Sequence, residues 1–182
     1  MSNNFAVTHQ LRGVYRDVLR DARGRVLWDR GWQRNKIVVD CRRLLAGFMH
    51  GTPTGAFGIQ GLQVGQGSDA WDQGSPPAVS ENQISLVDPF PATIAREALN
   101  IDYLDPADGS VADAPTSRLQ IVATIGPHVP NWPDAHHPTL TLREFGLVGT
   151  LDAATVLINC VRHPAIVKDP TSTLERTIWL AF

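Results

Sequence analysis

The chain has 182 residues, 43% of them hydrophobic and 19% charged, with a formal net charge of −2. That length suits a single domain, residues 1–182, able to bury roughly 70% of the surface its unfolded form exposes. Without a basic excess there is no field to gather phosphates along a nucleic-acid track, so nucleic acid is not expected as a partner.

No stretch reaches the roughly 18 apolar residues of a membrane helix, and Met1–Val7 lacks the basic start and apolar core of a signal peptide. The expectation is a soluble chain made inside the cell, with no membrane partner. Cys41 and Cys160 are far apart, with no C-x-x-C pair, and read as small buried hydrophobes.

His9 to Trp32 reads as a hairpin around Asp21-Ala22-Arg23-Gly24, where Asp and Gly supply the turn chemistry. Val38, Cys41, Leu44, Leu45, Phe48 and Met49 then recur at intervals of three and four, ending at Gly51 and Pro53. This predicts one amphipathic helix, about 37–50, packing its apolar face on a sheet. A strand over Ile59–Gln66 follows. It leads into Gly67–Pro77, a stretch rich in breakers that reads as a long irregular loop with Trp71 as a contact residue.

Ala92–Leu104 and Arg118–Ile125 read as strands flanking Asp105–Gly109; Leu119, Ile121, Ala123 and Ile125 alternate cleanly onto one face. A second long loop, 126–138, carries Trp132. Leu140–Val148 and Thr155–His163 flank a turn over Gly149–Ala154. The closing run, Leu174–Phe182, places Leu174, Ile178, Leu180 and Phe182 on one side and Trp179 on the other. Such a run must be covered by its own sheet or by a neighbour. Many strands, short turns and one helix give a mainly β fold: an antiparallel β-sandwich with the helix packed on an edge or end.

The catalytic constellations fail one by one. His128, Asp134, His136 and His137 carry metal-binding chemistry, but adjacent histidines point apart in extended chain and no ligand spacing is imposed. G-x-S-x-G is absent, and Gly65-Gln66-Gly67 has no Lys and no following helix, so it is a turn. Asp105, Asp108 and Asp113 lack the ligand pattern of a calcium loop. Arg143 and Glu144 read as a rim ion pair worth roughly 0 to 1 kcal/mol. No catalytic residue, metal or cofactor is therefore expected, and the candidate site is an interface of Trp71, Trp132, Trp179 and Phe182.

Several segments taken in order carry a resemblance. They are Asp21–Val26, Asn35–Asp40 leading into Leu44-Leu45-Ala46, Leu62–Gly67, Arg143–Leu147, Leu157–Val161, Ile166–Lys168 and Leu174–Phe182. Their order resembles small structural proteins of tailed bacteriophages and phage-tail-like particles, especially tail-fibre-base and baseplate modules. The resemblance implies a non-enzymatic component of a virion or phage-like particle, made in the bacterial host cytoplasm, homo-oligomeric and contacting copies of itself and neighbouring particle proteins. A capsid-decorating cement protein and a module binding carbohydrate or a host surface through Trp71 and Trp132 are the alternatives.

Overall fold

A computed structural model describes residues 11–51 and 56–182. The fold is mainly β and antiparallel, with one α-helix among the described residues, as the turn and periodicity signals predict. The first hairpin is β1 (Arg12–Arg20) and β2 (Val26–Ile37); His9 and Gln10 lie outside the described residues. Asp21 makes its turn, accepting the backbone N–H groups of Arg23 and Arg25 at 2.9 Å each.

Helix α1 (Val39–His50) follows directly, closed by Gly51 in the left-handed conformation at φ 70°. The remaining strands are β3 (Phe57–Gly65), β4 (Ala92–Ala95), β5 (Leu99–Leu104), β6 (Val111–Ala112), β7 (Arg118–Ile125), β8 (Thr141–Leu151), β9 (Ala154–Leu157), β10 (Asn159–Val167) and β11 (Thr173–Ala181). They form one sheet in the order β4-β3-β8-β10-β2-β1-β11-β7-β5-β6, with β9 also paired to β8.

The sheet curls on itself. Phe145 of β8 meets Tyr15 of β1 edge to face, ring centres 5.1 Å apart, although two strands separate β8 from β1 in the sheet. The inward stripes of both halves form one core that includes Leu62, Ile121, Leu142, Phe145, Leu174 and Ile178, all buried.

One sequence expectation changes here. The run Ala92–Leu104 is not one strand: a 3-10 turn at Arg96–Ala98 divides it, and β4 and β5 lie near opposite margins of the sheet. A run without Gly or Pro to mark a break cannot reveal that the chain crosses the seam of the curl. Of the two ways to cover the closing strand, its own sheet is the one used: β11 lies between β1 and β7.

The helix packs on β3, β8 and β9 through Cys41 and Leu44, but its last turn overhangs the sheet. Phe48 shares the face of Cys41 and Leu44 at a spacing of seven and four residues. It is nevertheless 68% exposed, and Met49 beside it is 83% exposed. The apolar stripe is therefore only half covered, where the sequence reading buried it throughout.

Candidate functional site

The four aromatic residues singled out from the sequence do not come together. Trp71 and Trp132 are only 8% and 7% exposed, and each packs inside its own chain rather than presenting a contact surface. The reason is polar. Both long loops are tied to the sheet by buried charged groups that the sequence reading placed at the surface.

In the first loop, Asp69–Gln73 forms a 3-10 turn instead of irregular chain. Arg143 donates to the Asp72 carboxylate from Nε at 2.9 Å and Nη2 at 2.6 Å, and to the Gln66 carbonyl from Nη1 at 3.1 Å. The hydrogen bond from Arg143 holds the Asp72 carboxyl below the usual carboxylate range. Trp71 is thereby set against the Arg162 guanidinium, 5.3 Å from its ring.

Gly67 permits the fold-back: it takes φ +58°, and a Cβ there would run into the Trp71 ring. Gly67→Ala is expected to destabilise the protein by at least about 1 kcal/mol, since both backbone and side chain are strained. Urea unfolding checks this, and an unchanged midpoint would contradict the arrangement.

Glu144 is fully buried rather than at a rim. Its carboxylate accepts the backbone N–H groups of Val87 at 3.0 Å and Asp88 at 2.7 Å, clamping the chain before β4 over the outer face of β8. Burial nonetheless pushes its carboxyl above the usual range. β8 is therefore buried on both faces.

Asp88 continues the chain of contacts into the second loop. His137 lies between Asp88, 3.0 Å from Nε2, and Asp134, 2.8 Å from Nδ1, with Trp132 stacked on it at 3.9 Å. Desolvation raises the Asp134 carboxyl, but hydrogen bonds from His136 and His137 outweigh it and leave the group below its ordinary value. His136 points elsewhere and stacks on Phe90. Among the described residues no three His, Cys, Asp or Glu side chains converge as metal ligands. Lys168 closes the loop base, donating from Nζ to the Gly126 carbonyl at 2.7 Å.

A second buried cluster lies inside the curl. Arg176 of β11 donates to Asp17 of β1 from Nε and Nη2, both at 2.7 Å. Its Nη2 is also 3.2 Å from His163 Nε2, and its guanidinium carbon lies 3.7 Å from the Phe145 ring centre. His163 Nδ1 donates to the Pro164 carbonyl at 2.9 Å, so Nε2 carries the lone pair that accepts from Arg176. Burial, then the neighbouring guanidinium, push the imidazole down to about 3. All three side chains are sealed from solvent.

The sequence carries a signal for this pair in the two inward stripes. Asp17 interrupts the inward stripe Tyr15, Leu19, and Arg176 interrupts Leu174, Ile178, Leu180. Opposite charges at inward positions of two apolar strands are a pairing signal. The two cysteines are buried as expected, and desolvation pushes Cys41 up to about 11 and Cys160 up to about 12, which leaves both as inert thiols at neutral pH.

The remaining two aromatics are accessible but separate. Trp179 lies on the outer face of the sheet with its ring 4.5 Å from that of Trp32, and its Nε1 donates to Gln120 at 2.9 Å. Phe182 is exposed at the rim of an apolar recess of about 660 Å³, between the overhanging end of α1, β3 and the start of β7. Leu45, Phe48 and Tyr103 line the same recess and are exposed; Met49 and Phe57, also exposed, are chain neighbours of its lining.

The recess is the gap left where the curled sheet fails to close, spanned by the 3-10 turn Arg96–Ala98. Of the sequence-derived contact residues only Phe182 belongs to it. No family model matches the chain, and neither a curated protein nor a solved structure matches it.

Proposed function

We propose that this chain is a non-enzymatic structural subunit of a phage or phage-tail-like particle, associating with copies of itself and with neighbouring particle proteins through its apolar end. The observation that carries the assembly role is the gathering of Leu45, Phe48, Tyr103 and Phe182, all exposed, around one recess. Single exposed hydrophobes are ordinary, whereas contiguous ones mark a contact surface. The titratable groups support the absence of chemistry, since Asp17, Glu144, His163 and Arg176 are spent on internal partners and buried.

The particle itself is proposed from the sequence resemblance. A cement protein of a capsid would use the same surface, and location in a particle reconstruction separates the two. The glycan-binding reading loses its basis at Trp71 and Trp132, because neither ring offers a face to solvent.

Sedimentation of the purified chain is expected to show a concentration-dependent oligomer that Phe48→Glu combined with Met49→Glu converts to monomer. Both positions are exposed, so folding should survive the change. A wild-type chain that stays monomeric across the micromolar range and does not bind particle proteins would overturn the reading.

A further inference from the structure

The formal charge of the whole chain is −2, yet one cavity collects four cations and a single carboxylate. It has a volume of about 560 Å³ and lies where the start of β1, the end of β2 and the first turns of α1 meet. Arg12, Arg34, Lys36 and Arg42 line it together with Glu81. Lys36 donates to Glu81 at 2.8 Å, which holds that carboxyl below its ordinary value. Arg12, Arg34 and Arg42 form no ion pair among the described residues. Residues 1–10 and 52–55 contain no Asp or Glu, so they bring no carboxylate to the cluster.

Pairing in the sheet explains the convergence. Gly13 stands opposite Asn35 and Val14 opposite Arg34, which places Arg12, Arg34 and Lys36 on one side of the two strands, and α1 starts two residues after Ile37 and returns Arg42 beside them. Gly13 and Asn35, the intervening pair, alternate to the opposite side of the two strands, the side of Tyr15. A Cβ at Gly13 would collide with the Asn35 amide, whose buried nitrogen and oxygen have no hydrogen-bond partner among the described residues.

We propose that this cavity is a binding site for a small ligand bearing two or more phosphate groups. A net excess of three positive charges in a concave site focuses the field and favours a multiply charged anion. A single carboxylate neutralises only one of them. Guanidinium forks match phosphate oxygens with paired hydrogen bonds, and three unpaired arginines around one volume suit adjacent phosphates. The assignment is independent of the particle reading.

The test is calorimetric titration of the full chain with sodium tripolyphosphate in low-salt buffer. Saturable binding of one equivalent per chain is expected, with Arg34→Ala and Arg42→Ala each weakening it about tenfold or more. Arg23→Ala, at the tip of the first hairpin, is expected to leave it unchanged. The site is overturned by absence of saturable binding, by equal weakening in the Arg23 variant, or by undiminished affinity in the Arg34 and Arg42 variants. Tighter binding of a tetraglutamate peptide than of tripolyphosphate would also overturn it, assigning the cavity to an acidic protein segment instead.

Discussion

Arg176→Ala is expected to cost roughly 3 to 5 kcal/mol of folding stability, because it leaves the Asp17 carboxylate buried and without its partner. Asp17→Ala should cost a similar amount by stranding the guanidinium, whose Nη1 already has no hydrogen-bond partner among the described residues. Replacing both with apolar residues of matching size, Asp17→Leu with Arg176→Met, is expected to recover most of the loss. The desolvation of two charges disappears together with their attraction, and the exchange is often neutral or stabilising by roughly 1 to 4 kcal/mol.

Urea unfolding of the two single variants and the double variant forms the necessary cycle. Single variants within about 1 kcal/mol of wild type would mean that water reaches the pair and that the curl is more open than described. A double variant as unstable as either single one would instead show that the guanidinium over Phe145 is needed for packing at that point.

The second large effect is acid destabilisation through His163. Its folded value, about 3, lies below the unfolded 6.5, so between these limits only the unfolded chain binds the proton. Stability contributed by the neutral imidazole is complete above pH 6.5 and is lost as pH falls through that window. The full loss is on the order of 5 kcal/mol at about 1.4 kcal/mol per pH unit. Roughly 2 kcal/mol of it falls between pH 6.5 and pH 5, above the range where ordinary carboxylates titrate.

The groups facing the ring fix the direction. Arg176 from β11 and Arg30 from β2 oppose a second positive charge, whereas Asp17 and the Pro164 carbonyl favour it but do not offset burial. Stability measured from pH 7.5 to 5 should fall in wild type and stay nearly level in His163→Gln. The imidazole of wild-type His163, followed by NMR, should show no titration across the same range. A normal titration of that ring near pH 6.5 would sink the prediction even if the Gln variant failed to fold.

Local signals were legible in this chain where a single element sufficed to express them. The turn at Asp21–Gly24, the three-four repeat ending at Gly51 and the alternation of β7 each follow from backbone geometry and the side-chain period, which need no knowledge of neighbours. The same period could not say how far the sheet extends beneath the helix, so Phe48 and Met49 read as core although the last turn runs past its support. Trp71 and Trp132 read as contact residues because breaker-rich loops usually lie outside. Arg143, Glu144 and Asp88 reverse that by giving the loop backbones and carboxylates buried partners, and those partners come from 49 to 77 residues away in sequence.

The cationic cavity shows the same division. Arg12, Arg34, Lys36 and Arg42 are unremarkable in a chain of 16 basic and 18 acidic residues, and the sum of −2 hides them. Composition, the single helix and the antiparallel strand class were determined by the sequence alone, because they depend on local turn chemistry and periodicity. The curl that sets β8 across from β1, the seam crossed between β4 and β5, the burial of the two tryptophans and the meeting of four cations were decided only by tertiary structure. Each depends on which distant charges and strands come within a few ångströms of one another.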